Sequence, residues 1–438
     1  MKTSAPPRAF LILSALASAA VQAQDATETV NLHAQFTEVV QGHPSFRSPY
    51  EGENSLKGER SVRQTSDLTL YAGLRLAPHS ELYLDGELDQ GFGLSNTLGL
   101  AGYASGEAYK VGRATPYAKL QRAFLRQSFE FGGEYEALPS AANQLGGGLT
   151  HNHLTLSIGK YSVTDLFDTN RYAHDPRGDF LNWSLLDAGA FDYAADAWGY
   201  SYGGAAEWQQ RQWTLRGGVF AMSRVPNSPQ LEPAFKQFAL IGELEHRHQC
   251  WGEDGALRLT AFDNRGRMAR YDAAVAAAQR SAAPADVSSL RQFDSRPGAA
   301  LNLEQALTAD LGLFTRLSAN DGSKETFEFT DINRSLSGGL SLQGSAWQRA
   351  QDSVGLAAVV NELSGAAQRY FAAGGMGLLI GDGQLPHYGS ERIAELYYRW
   401  QMLPQLQLSA DGQYVENPAY NRDRGPVRLA ALRLHVQF

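Results

Sequence analysis

Apolar and polar side chains alternate along most of this chain in runs of about ten residues, the pattern of strands with one apolar and one polar face. Between 63 and 76, Leu68, Leu70, Ala72, Leu74 and Leu76 alternate with Asp67, Thr69, Tyr71 and Arg75. Between 81 and 90, Leu82, Leu84 and Leu88 alternate with Glu81, Tyr83, Asp85, Glu87 and Asp89. The same period marks 31–41, 116–129 and 153–160. It continues in the pairs 200–209 with 212–221, 236–248 with 256–262, 300–307 with 311–318, 334–342 with 354–361 and 393–401 with 405–413, and ends in 427–438. About sixteen such segments predict an all-β fold, a transmembrane antiparallel β-barrel whose apolar faces meet lipid and whose polar faces meet water inside.

The connections have a parity of their own. Long ones (42–62, 91–115, 161–199, 222–235, 263–298, 319–333, 362–392 and 414–426) alternate with short turns such as Pro78-His79 and Gln210-Arg211. Long loops on the outer side and short turns on the periplasmic side are the expected arrangement. The exception is 130–152, rich in Gly, Ala and Asn, which is read either as a floppy periplasmic loop or as hidden structure.

The third long connection has the most unusual composition. From Asp165 to Trp198 it carries Asp165, Asp168, Asp175, Asp179, Asp187, Asp192 and Asp196, together with Arg171, Arg177 and His174, and the aromatics Phe180, Trp183, Phe191, Tyr193 and Trp198. It is too irregular for a strand and too aromatic for a disordered segment. Residues 161–199 are therefore expected to be a loop folded into the lumen, narrowing a barrel that would otherwise leave an open aqueous channel.

The ends set the compartment. Lys2 and Arg8 precede an apolar run from Ala9 to Val21, and Val21-Gln22-Ala23 supplies small residues for cleavage, so 1–23 reads as a secretory signal and 24–438 as one barrel domain. The chain closes on Leu432, Leu434, Val436 and Phe438 alternating with Arg433, His435 and Gln437. A terminal Phe on such a strand resembles the mark read by the outer-membrane barrel assembly machinery, which implies lipid and lipopolysaccharide as the surroundings. The net charge of −8 argues against nucleic acid as a partner. Cys250 is the only cysteine, which excludes an internal disulfide framework.

Candidate chemistry follows from strand parity. Glu81, Asp85, Glu87 and Asp89 face inward on one strand, Arg122 and Arg126 on the next, and Arg75 on the strand before, with Asp168, Arg171, Asp175 and Arg177 added by the loop. Carboxylates accept hydroxyl protons and guanidinium groups donate forked N–H bonds, which suits neutral hydroxyl-rich solutes; Trp183 and Trp198 offer faces for a sugar ring. The alternative is that these charges pair with one another and only hold the loop. Asp165, Asp168, Asn170 and Asp175 gather oxygen ligands but lack the spacing, glycine and terminal Glu of an EF-hand, so no metal and no cofactor is expected. No G-x-S-x-G occurs, and the run Gly91 to Ser95 reads as a flexible outer loop.

Several blocks carry a family resemblance: QGHPSFRSPYEGENSL (Gln41 to Leu56), QGFGLSNTLGLAGYASGEAYKVG (Gln90 to Gly112), QRAFLRQSFEFGGE (Gln121 to Glu134), DTNRYAHDPRGDFLNW (Asp168 to Trp183) and FDYAADAWGYSYG (Phe191 to Gly203). The chain resembles the OprB-type carbohydrate-selective porins from near Asn31 to Phe438. The resemblance implies a sixteen-stranded outer-membrane barrel for passive, saturable entry of sugars, chiefly monosaccharides such as glucose. It implies no enzymatic activity and no cofactor. It also implies a charged constriction, carried here to Arg75, Glu87, Arg122, Arg126, Asp168, Arg171 and Trp183. Some relatives have an extra N-terminal module, and none is expected here. A polysaccharide export channel and a barrel-type outer-membrane enzyme are the alternatives; the oligomeric state is left open.

Overall fold

The computed structural model describes residues 27–226 and 228–438, so the expected signal segment lies outside the described residues. Sixteen strands run in sequence order: β1 (Val30–His43), β2 (Ser61–Ala77), β3 (Ser80–Gly91), β4 (Arg113–Leu138), β5 (Gly147–Tyr161), β6 (Ser201–Gln210), β7 (Trp213–Ala221) and β8 (Phe238–Cys250). The second half comprises β9 (Glu253–Met268), β10 (Gln292–Ala306), β11 (Leu311–Asn320), β12 (Arg334–Gly344), β13 (Arg349–Glu362), β14 (Glu391–Leu403), β15 (Leu406–Glu416) and β16 (Val427–Gln437). Each pairs antiparallel with its neighbours, and β16 closes onto β1 with Phe36 opposite Val436. Closure leaves no unpaired edge, the condition for a sheet surrounded by hydrocarbon.

The alternation holds. On β2, Asp67, Thr69 and Tyr71 are buried while Leu68, Leu70 and Leu74 are exposed. Because the pleat sends successive side chains to opposite faces, those leucines form part of the lipid-facing band. The termini and short turns share one end of the barrel and the long connections share the other, which makes the terminal end periplasmic. No helix among the described residues is long and apolar enough to cross a membrane.

Three connections depart from their sequence reading. Residues 130–152 contain strand rather than loop. β4 and β5 pair beyond the barrel wall through Tyr135 opposite Thr150 and Leu138 opposite Gly147, with bulges around Gly132. Their tip then folds back beneath the barrel, where Asn31 Nδ2 donates to Gln144 O at 2.8 Å and Leu145 N donates to the Tyr83 hydroxyl at 3.0 Å. The tip residue Leu145 is buried, while the paired strands 131–138 and 147–152 are exposed or half-exposed, so little selects an alternating pattern there. Residues 263–298 continue β9 and β10 outward and include helix α2 (Tyr271–Ser281), which contacts helix α3 (Gly365–Ala372) in the connection after β13. The connection 91–115, read as an outer loop with a flexible start at Gly91 to Ser95, is largely buried inside the barrel over 92–112. Gly99 shows why that loop cannot move outward freely. It has φ +90°, donates its N–H to Leu379 O at 2.7 Å, and a Cβ there would lie 1.7 Å from Leu56 N.

Candidate permeation site

Two loops fill much of the lumen. Residues 162–200, including the single-turn helix α1 (Trp183–Leu186), are bolted to the wall formed by β8, β10, β11, β14 and β16. Arg316 on β11 meets Asp168 Oδ1 at 3.2 Å and donates to Leu185 O and Ala173 O, each at 2.8 Å. Glu243 and Glu395 accept loop N–H groups from Asp168, Leu181 and Asn182. Arg296 pairs with Asp192 at 2.9 Å, and the same carboxylate accepts the backbone N–H groups of Phe327, Glu328 and Phe329. Arg433 donates to Pro176 O and Asp179 O. The second loop, 92–112, lies against the first through Trp183 N to Tyr103 O at 3.0 Å and Gly106 N to Leu181 O at 2.7 Å.

Two larger cavities lie beside them. The outer one, about 310 Å³, is walled by both loops, with Lys110, Asp165, Trp183, Trp198 and Tyr200 among its lining residues. The periplasmic one, about 200 Å³, is lined by Gln35, Tyr71, Asn143, His435 and Gln437 among others. Arg122, Asp175 and Arg177 line both, and these three side chains mark the boundary between the two spaces. Arg122 donates to Asp165 from Nε at 2.7 Å and Nη2 at 2.6 Å, and from Nη1 to Asp85 at 3.2 Å. Arg177 reaches Asp67 at 2.9 Å, Glu107 at 3.5 Å and the Tyr71 hydroxyl at 3.1 Å. Arg122 reaches the boundary because β4 bulges against β3. The pairing steps from Asp85–Arg122 to Gly86–Leu120, so Gln121 is extra and both Gln121 and Arg122 turn inward.

The electrostatics favour a charged but balanced neck. Asp175 is exposed to the lumen; the protein crowded around it opposes ionisation, but the Arg177 charge and its backbone N–H bring the pKa below the usual carboxylate value. Burial lowers Lys110 to about 8 despite the nearby Glu328 and Asp192. Burial raises Glu107 well above the ordinary glutamate range, with Arg177 opposing the shift.

The sequence candidates therefore separate. Arg122, Asp175 and Arg177 meet at the boundary, and Trp183 lines the outer cavity with its ring stacked 5.1 Å from Tyr103. Trp183 and Trp198 are each only 8% exposed, so their rings wall the cavity and do not stand free in it. Asp85 and Glu87 are buried behind the arginines, Asp85 on Arg122 and Glu87 at 3.8 Å from Arg177. Arg126 donates to Asn143 O at 3.0 Å and lies over Tyr83, supporting the periplasmic tip and lining neither cavity. Arg75 likewise faces away, pairing with Glu81 at 2.8 Å and donating to Glu28 O. Asp168 is wholly buried against the far wall, and the Arg171 side chain is exposed beside Tyr172, its backbone N–H held by Glu304. Sequence reasoning missed Tyr103, Glu107, Tyr109 and Lys110, all from 92–112. The signal was present: GLAGYASGEAYK mixes aromatic, charged and small residues in the manner that singled out the third loop.

A closed sixteen-stranded antiparallel barrel with long loops packed into a charged, partly open lumen is the architecture of an outer-membrane porin. The family model described as carbohydrate-selective porin, OprB family, matches residues 53–438. The chain belongs to that family, which places it in the Gram-negative outer membrane as a porin for sugars, with the family and fold of channels. Among solved structures, the high-pH form of OprB from Pseudomonas putida superposes with a TM-score of 0.71 at 16% identity, over 94% of each chain. Its low-pH form gives 0.52 at 13% identity, over 94% of this chain and 93% of that one. The outer membrane channel DcaP of Acinetobacter baumannii gives 0.50 at 8% identity, over 93% and 97%. No curated protein sequence matches the chain.

Proposed function

We propose that the mature chain, 24–438, admits single-ring neutral sugars such as glucose to the periplasm by passive, saturable diffusion, with 161–199 as the constriction loop. The observation that carries this reading is the neck at Arg122, Asp175 and Arg177, where two cavities meet. Both charge signs are present there, so a neutral solute finds donors and acceptors without a net field against it. At about 310 Å³ the outer cavity is at the small end of ligand sites, which run from about 300 to 1,000 Å³. That size supports a monosaccharide and disfavours passage of a polymer. Trp183 and Tyr103 supply an apolar wall for the ring's C–H face.

Assembly partners belong to the same reading. Phe438 exchanges backbone hydrogen bonds with Ala34 at 2.8 and 3.0 Å, so the terminal residue helps close the β1–β16 seam. We propose that it also marks the chain for the barrel assembly machinery, with lipid and lipopolysaccharide around the finished barrel. Deleting Phe438 is expected to lower the yield of heat-modifiable barrel in outer membranes; normal yield removes the assembly role.

The test of transport is flux into proteoliposomes of glucose, a disaccharide and an uncharged amino acid of similar size. Saturable flux favouring glucose is expected. Flux ranked by size alone would make the neck a sieve without a binding site, and no flux would remove the proposal.

A further inference from the structure

Behind the neck, on the wall formed by β2 and β3, lies a group of carboxylates that the proposed sugar path does not use. Asp67, Glu87 and Asp89 each offer an oxygen within 4.8 Å of the others, and all three are buried. Beside them a void of about 10 Å³ is lined by Asp67, Asp89, Glu107, Tyr109 and Tyr117. Hydrogen bonds account for only part of the negative charge. One Asp67 oxygen accepts from Gln35, Thr69 and Arg177, and Glu87 accepts from Tyr109 and Gln121. The second Asp67 oxygen and both oxygens of Asp89 are buried without a partner, although Asp89 is 97% removed from solvent (3% exposed). Among the described residues, Arg177 is the one cation paired with Asp67, Glu87 and Glu107, and Asp89 pairs with none.

Left ionised, buried carboxylates without partners cost several kcal/mol each, so Asp67, Glu87 and Asp89 facing the one guanidinium of Arg177 call for another positive charge. We propose that Asp67, Glu87 and Asp89 form a divalent-cation site, and that its natural occupant is calcium. The donor set is entirely oxygen, without thiol or imidazole, which selects a hard cation. Calcium–oxygen distances of about 2.3–2.6 Å span the separations present. Magnesium retains several waters, and a void of about one water's size does not hold them. The ion would tie the wall strands to the inner loop through Glu107 and Tyr109, and so set the position of Arg177 without lying in the path of the solute. This assignment does not depend on which sugar passes.

The test uses the purified barrel in detergent, stripped with a chelator and desalted. Terbium is added as a calcium probe, with excitation of tyrosine, since Tyr109 and Tyr117 line the void. Saturable sensitised emission that calcium displaces more strongly than magnesium is expected. Asp89→Asn, which keeps the shape and removes the charge, is expected to weaken terbium and calcium binding at least about tenfold. Should that variant fail to assemble, Asp67→Asn is read in its place. Absence of saturable emission from the unaltered protein would overturn the site and leave the cluster to share protons. Equal emission from the Asn variant would overturn it too, by placing the ion elsewhere. Glucose flux in the same preparations separates this result from the transport reading: flux can fail while calcium binding stands, and the reverse.

Discussion

The lumen has two walls, and both are rich in buried charge, yet they do different work. On the far wall Arg316 and Asp168 are almost entirely dry, and every remaining donor of Arg316 that reaches the loop ends on a backbone carbonyl. At the near wall Arg122 of β4 and Arg177 of the loop also pair with carboxylates, but each keeps a face on both cavities. An ion pair that is saturated and sealed can only anchor. One that is satisfied yet open to a cavity can exchange partners with a passing hydroxyl at little cost, because one hydrogen bond replaces another. Accessibility to the cavity, more than charge or burial, separates anchor from site.

The sharpest way to break this comparison is Arg316→Met, which leaves Asp168 buried without its cation. The expected cost is about 3–5 kcal/mol of local stability, because an unpaired charge remains in the core. Single-channel recordings should show a larger conductance and loss of sugar saturation as the loop leaves its wall. An unaltered conductance would mean that the other wall contacts hold the loop alone.

Arg122→Ala should leave the loop in place and raise the glucose half-saturation concentration about tenfold, the value of one charge-assisted hydrogen bond. Arg126→Ala, two turns of the pleat away, should leave half-saturation unchanged and affect only the periplasmic tip that it supports through Asn143. Similar kinetic effects from the two would erase the distinction between lining and supporting residues.

A smaller effect is expected from pH. Lys110 lines the outer cavity and is held at about 8 by burial, so it is cationic at pH 7 and largely neutral at pH 9. Raising the pH removes one positive charge, and reversal potentials should shift toward cation preference across that interval. Lys110→Met should show the high-pH selectivity throughout. The smallest effect belongs to Arg369→Ala in α3, whose partner Asp272 in α2 is half exposed like itself. Such a pair contributes about 0–1 kcal/mol, and neither melting temperature nor flux should change measurably.

Much of this architecture is legible in the chain. Leu68, Leu70 and Leu74 against Asp67, Thr69 and Tyr71 report strand, orientation and lipid face together, because the pleat has a period of two whatever else the fold does. The aromatic and acidic density of 165–198 marks it as no ordinary surface loop, although α1 within it is too short to leave a periodic trace. The 130–152 hairpin was not legible, since strands that bury almost nothing apart from Leu145 at their tip are under little pressure to alternate. Nor was α2, whose Ala-rich YDAAVAAAQRS presents only a narrow buried face.

Period and composition by themselves determined the barrel and its strand number, because both depend on local spacing and on solvent preference. Tertiary structure alone decided which charges matter. Arg122 and Arg126 sit four residues apart on one strand and Asp168 and Asp175 seven apart in one loop, with nothing local to tell them apart. One member of each pair borders the two cavities and the other is turned to a wall or a tip, and that outcome is set by a bulge in β4 and by partners more than a hundred residues distant in the chain.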